Sequence, residues 1–169
     1  MTTLYNQPWS RRRIGFYTFM NPLIRFFVRQ FGLGGRGVDL LRILRVRGRK
    51  SGRLYEVPVR VAVLSEQRYI VSMLGETQWA RNLRAAGTAH LILGKTVEPI
   101  RTSEIQGEEK IAFLTRLCQY EEFKQRGRYL LRVAFKKKVK HLTSAEIDLL
   151  AGVWSVFRLE PEQNEREMT

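Results

Sequence analysis

Apolar positions recur with a period of two along much of the chain and with a helical period in a few short stretches. Tyr55, Val57, Val59, Val61 and Val63 alternate with Glu56, Pro58, Arg60, Ala62 and Leu64, which predicts a strand with one face buried. Leu40 to Val46 reads as a strand ahead of it, and Arg68 to Met73 as a third, after the turn Ser65-Glu66-Gln67-Arg68. Pro58 has no N–H to give to a ladder, so it belongs at a bulge, an edge or an interruption. His90–Leu93 and Thr96–Ile105 flank Gly94-Lys95 and predict a hairpin, and Ser155–Leu159 is a last strand.

Helical spacing appears first at Leu23, Ile24, Phe27, Val28 and Phe31, between Asn21-Pro22 and Gly32. Arg25 and Arg29 take its other face. The stripe either packs on the domain or, with Trp9, Phe16, Tyr17 and Phe19, lies in a membrane interface. It is too short and too charged to span a bilayer. A short helix follows Thr77, a natural N-cap, and stops at Gly87. Gly107–Gln125 carries Ile111, Leu114, Leu117 and Cys118 on one face, and Ser144–Ala151 ends at Gly152. Lys124 to Lys140 has eight basic residues and no acid, and reads either as a helix over the domain or as a basic flap.

Hairpin-connected strands with few crossovers predict a mainly antiparallel sheet or small barrel decorated by helices. A chain of 169 residues suffices for one such domain, at 33–161, with an amphipathic helix region at 1–32 and a frayed acidic tail at 162–169.

Composition narrows the chemistry. The lone Cys118 excludes an internal disulfide, fits a reducing, cytoplasmic compartment, and at its helical spacing reads as core rather than nucleophile. With only His90 and His141 besides, no metal site and no histidine triad is expected. The net charge is +14, of which residues 1–60 carry +11 through thirteen cations against Asp39 and Glu56. Such a surface attracts nucleic acid, anionic lipid or acidic small molecules. The basic residues do not gather on one recognition element, which argues against nucleic acid.

The basic positions are densest in one turn. Val46-Arg-Gly-Arg-Lys-Ser-Gly-Arg-Leu-Tyr55 sets Arg47, Arg49, Lys50, Arg53 and the Ser51 hydroxyl on a corner opened by Gly48 and Gly52. That is either a solvated hairpin or a seat for a phosphate or carboxylate. It lacks the spacing of a Walker loop. A second anion-favouring feature is the helix after Thr77, whose N-terminus directly follows a strand end. Gln78 and Asn82 share one face there, beside Trp79. Taken singly, Trp79 reads as a core anchor and Asn82 as a satisfied polar residue.

In this order and spacing, the Gly-Arg-Lys-Ser-Gly turn, Pro58 on the next strand, and the Trp-x-x-Asn-Leu-Arg-Ala helix resemble the deazaflavin-dependent nitroreductase family. The resemblance runs from about Leu40 to Ile105, with a weaker echo at Val156–Pro161. It implies a split β-barrel of the flavin-reductase and pyridoxamine-phosphate-oxidase type, and an oxidoreductase using coenzyme F420, an 8-hydroxy-5-deazaflavin. It implies that Arg49, Lys50 and Ser51 hold the coenzyme's phosphate and acidic tail. Val57 and Pro58 would lie along the ring, and Met73, Leu74, Gly75, Trp79 and Asn82 would hold the ring and its phospholactyl part. Tyr55 stands where many members carry Arg, and Tyr120 matches a tyrosine on the substrate side.

The implied reaction passes hydride from the reduced coenzyme to a hydrophobic acceptor: a quinone, an activated alkene or a nitro compound. The first helix would be its route to lipid-soluble substrates at a membrane surface. The protein would act as monomer or homodimer. Two alternatives share the fold: an enzyme using flavin mononucleotide, FMN, and a non-catalytic carrier of the coenzyme or of a fatty acyl chain.

Overall fold

In the computed structural model, residues 39–73, 75–119 and 142–162 are described. The first helix, Leu74, Tyr120, the basic run at 124–140 and the tail after Glu162 lie outside the described residues. Six antiparallel strands close into a barrel: β1 Asp39–Arg47, β2 Leu54–Leu64, β3 Gln67–Ser72, β4 Thr88–Leu93, β5 Thr96–Ile105 and β6 Ser155–Pro161. Around the barrel they run β1-β2-β3-β6-β5-β4. The helices are α1 Gln78–Ala86, α2 Gly107–Gln119 and α3 Ser144–Val153. This is the split β-barrel expected from the sequence.

Period-two alternation sorts the apolar side chains between the two faces of the wall. Leu44, Val46, Val59, Val61, Ile70, Leu91, Ile100, Phe157 and Leu159 point inward and form one cluster, closed at one end by Ala80 and Leu83 of α1. The outer face of β2, β3, β5 and β6 carries a second cluster, covered by Phe113, Leu114 and Leu117 of α2 and Ile147 and Leu150 of α3. Strand β2 therefore buries both faces along its second half. Val59 and Val61 point in, while Ala62 and Leu64 lie under the helices.

The helix ends follow capping chemistry. Thr77 caps α1 by accepting from the Ala80 N–H, and Gly87 ends it with φ +66°, a conformation glycine reaches without steric cost. Thr143 and Glu146 form a reciprocal capping box at α3. Gly152 does not stop α3, contrary to the sequence reading. The helix runs to Val153 and ends where Trp154, 1% exposed, turns into extended backbone and enters the core. Burial of a large side chain overrides a local glycine signal there.

Cys118 sits on α2, and burial pushes its thiol up to about 12. Its alkylation by iodoacetamide at pH 8 is expected to be at least about a hundredfold slower in the native protein than in urea, because thiolate is the nucleophile. Equal rates would show that the α2 face opens readily.

The wall has two thin seams. Strands β1 and β4 pair through only Ile43↔Ile92, Leu44↔Leu91 and Arg45↔His90. Strands β2 and β3 pair only from Val61↔Ile70 to Leu64↔Gln67. Beyond that point Val71 and Ser72 pair with β6 alone, and Leu54 to Arg60 pair with β1 alone. The barrel is split between Pro58–Arg60 on one side and Val71–Met73 on the other. Pro58 lies on this singly paired edge, opposite Ile43 of β1, which is one of the positions its missing N–H allows.

Candidate functional site

The β1–β2 hairpin closes at Arg47↔Leu54, so residues 48–53 form the basic turn. Its backbone is fixed by Gly48 N–H to the Arg53 carbonyl and Gly52 N–H to the Gly48 carbonyl, both 2.8 Å. Gly52 has φ +67°. Gly48 is required for a different reason: a Cβ there would lie 2.4 Å from the Tyr55 ring. The Tyr55 ring thus covers the turn's main chain, and its hydroxyl lies 3.1 Å from that of Ser51, sharing a hydrogen bond. Ser51 also accepts from the Arg53 N–H at 3.3 Å. The alternation put Tyr55 on the buried face of β2, but it is 48% exposed because it stands at the turn, past the packed interior.

The four cations of the turn differ in their partners. Arg47 donates to the Gly52 carbonyl at 3.0 Å. Arg49 reaches across to α1: its backbone N–H donates to Asn82 Oδ1 at 3.3 Å, and its Nη1 donates to Asn82 Oδ1 at 2.9 Å and Gln78 Oε1 at 3.2 Å. Lys50 and Arg53 are exposed, and their side chains make no hydrogen bond or ion pair with the described residues. The turn and the helix N-terminus, separate signals in the sequence, are therefore one surface joined at Arg49.

The strand end feeding α1 is equally organised. Gly75 is buried with φ +79°. The Ser72 hydroxyl donates to the Gly75 carbonyl at 2.5 Å and lies 2.9 Å from Thr77 Oγ1, and Thr77 N–H donates to the Gly75 carbonyl at 3.0 Å. Glu76 binds Arg81 and Arg84, and Arg84 clamps Glu104 of β5 bidentately at 2.5 and 2.8 Å. Hydrogen bonds from Arg84 hold the Glu104 and Glu76 carboxyls below their ordinary range. This clamp fixes the 75–77 corner against the barrel. Sequence reasoning did not find it, because its members are 8 and 20 residues apart and carry no shared motif.

Trp79 is half-buried on the interior cluster, its ring 6.2 Å from that of Phe157 and inclined at 52°. Val57 packs on the same cluster, and Met73 on the outer one. Asn82 is buried, 8% exposed, and its Oδ1 accepts from Arg49. The structure thus brings Arg49, Lys50, Ser51 and Tyr55 to one end of the split and places Val57 and Pro58 on its β2 side. Met73 and Gly75 come from the β3 side, with Trp79 and Asn82 on the helix that closes the barrel. The arrangement offers cations and helical N–H groups at one end, and an unpaired strand edge with apolar neighbours along its length. A long ligand with an anionic end and a planar apolar end matches it.

The fold is that of a split β-barrel protein with an elongated cleft along one seam. The family profile described as F420H2-dependent quinone reductase matches residues 25–128, more than half of the chain. The chain belongs to this family, and it is an oxidoreductase whose coenzyme is F420. Fifteen solved chains are similar to it. One is an F420-H2 dependent reductase, FDR-A, at 20% identity and TM-score 0.39, the match covering 71% of this chain and 93% of that one. Another is a conserved hypothetical protein from Mycobacterium tuberculosis, at 13% identity and TM-score 0.45, covering 91% and 81%. A third is a FAD-binding protein from Mesorhizobium loti, at 18% identity and TM-score 0.34, covering 72% and 80%. A comparison with curated proteins finds no match. Among the described residues no helix is long and apolar enough to cross a membrane, which says nothing of crossing by strands.

Proposed function

We propose that this chain holds reduced F420 along the β2–β3 split and uses it to reduce a hydrophobic acceptor of quinone type. The observation that carries the reading is the tether of Arg49 to Gln78 and Asn82, which makes one anion seat from the basic turn and the start of α1. Lys50 and Arg53, uncommitted among the described residues, supply further charge for an acidic tail. Val57 and Trp79 form apolar walls for a planar ring, Pro58 keeps the neighbouring strand edge free of an N–H, and the singly paired edge of β2 offers main-chain groups to the ring's polar rim. Gly75 allows close approach at the strand end. When bound, the reduced coenzyme supplies the hydride. The residues around it position the two reactants and exclude water. Tyr120 is assigned to the acceptor side on its place in the sequence pattern.

The acceptor class rests on the family description. Contact of the segment before β1 with a membrane surface belongs to the same reading and rests on its amphipathic pattern.

Titration of F420 with the purified protein is expected to quench or shift the coenzyme's fluorescence. Lys50→Ala should weaken binding by about 1–3 kcal/mol, the loss of one charge-assisted contact. The reduced coenzyme should be oxidised by a water-soluble quinone only when protein is present. Tight FMN binding with no F420 binding would overturn the reading.

A further inference from the structure

We infer that Asn82 is a positioning residue whose contribution to coenzyme binding passes through Arg49. The inference rests on the proposed coenzyme site and refines it. The resemblance alone makes Asn82 a direct contact. The geometry assigns it a different task. The residue is 8% exposed, and its Oδ1 accepts both from the Arg49 N–H, at 3.3 Å, and from Arg49 Nη1, at 2.9 Å. A carbonyl oxygen has two acceptor sites, so Arg49 uses both.

Arg49 is the opposite kind of residue. It is exposed, and a guanidinium has five N–H donors, of which those on Nε and Nη2 are not used by Gln78 or Asn82. The tether holds the exposed charge beside Gln78, the first residue of α1, with its other donors uncommitted to either carboxamide. An untethered arginine on a glycine-flanked turn samples many rotamers and must be ordered at the moment of binding. Asn82 removes that cost in advance by linking two elements 33 residues apart. Gln78 adds a second acceptor to the same Nη1 from the exposed rim, at 3.2 Å.

A double-mutant cycle on the full chain tests this, with F420 affinity read by fluorescence titration. Asn82→Ala is expected to weaken binding about tenfold, the cost of re-ordering one long side chain together with the turn that carries it. In an Arg49→Ala background the same change should do little, so that the double variant binds within about twofold of Arg49→Ala alone. Losses that multiply would overturn the inference, since they mean that Asn82 meets the coenzyme itself.

Asn82→Asp serves as a second route if Asn82→Ala does not fold. It keeps size and acceptor but replaces the NH2 with an anionic oxygen. Acting through Arg49, it should hold the guanidinium and cost no more than about tenfold in affinity. A residue that donated to the coenzyme's anion would lose far more, and a larger loss would count against positioning. Wild-type protein that binds no F420 would refute the coenzyme site itself. Wild-type binding with multiplied losses would refute only the positioning role of Asn82.

Discussion

Arg49→Glu is expected to weaken F420 binding more than about a hundredfold, with little change in melting temperature. Arg49 is exposed and belongs to no core cluster, and its backbone N–H still donates to Asn82 Oδ1 after the replacement, so the barrel stays intact. The new carboxylate would face Asn82 Oδ1 and Gln78 Oε1, both acceptors in this arrangement. Only if both carboxamides turned over would their NH2 groups meet it, and it would still face the anionic end of the coenzyme. Losing one charge-assisted hydrogen bond and gaining one like-charge contact together cost about 3–5 kcal/mol. The measurement is a fluorescence titration at fixed ionic strength, because salt screens exposed charges. A Kd changed less than about threefold would remove the basic turn from the coenzyme site.

Phe157→Ala is expected to have the largest effect on stability, about 3–5 kcal/mol in urea or thermal unfolding. Phe157 is 1% exposed and stands on β6 among inward side chains from all six strands. No neighbouring element can slide into the space, because closure of the barrel fixes the spacing of its wall. The same truncation removes the ring against which Trp79 rests, so the wall of the proposed ring site should loosen. F420 affinity should fall with stability in this variant, whereas in Arg49→Glu it should fall alone. A stability loss below about 1 kcal/mol would mean that the barrel interior repacks freely.

The two variants separate the local and the long-range parts of the molecule, and the sequence was legible along that division. All six strands were readable, since alternation in Tyr55–Val63 and the glycine turn at Gly94 are statements about neighbouring residues. The caps of α1 were readable too, because Thr77 and Gly87 satisfy the helix's own backbone. Gly152 misled because its helix is ended by the burial of Trp154, a contact made elsewhere in the fold. The placement of Tyr55 failed for a related reason. Period two assigns a face, but only the position of the barrel rim decides whether that face is covered.

For the site, the chain alone determined the ingredients: a cationic glycine-flanked turn, a proline that a closed ladder would not accept, and a capped helix that begins at a strand end. Each is a property of a few adjacent residues. The tertiary structure decided their relation. The β2–β3 ladder stops at Val61↔Ile70 and leaves Pro58 on an open edge. Arg84 locks the corner at Glu76 to Glu104. Arg49 meets Asn82 across 33 residues of chain. These contacts depend on how a closed barrel brings distant strands into register, and that closure is set by the packing of the whole interior rather than by any short pattern along the chain.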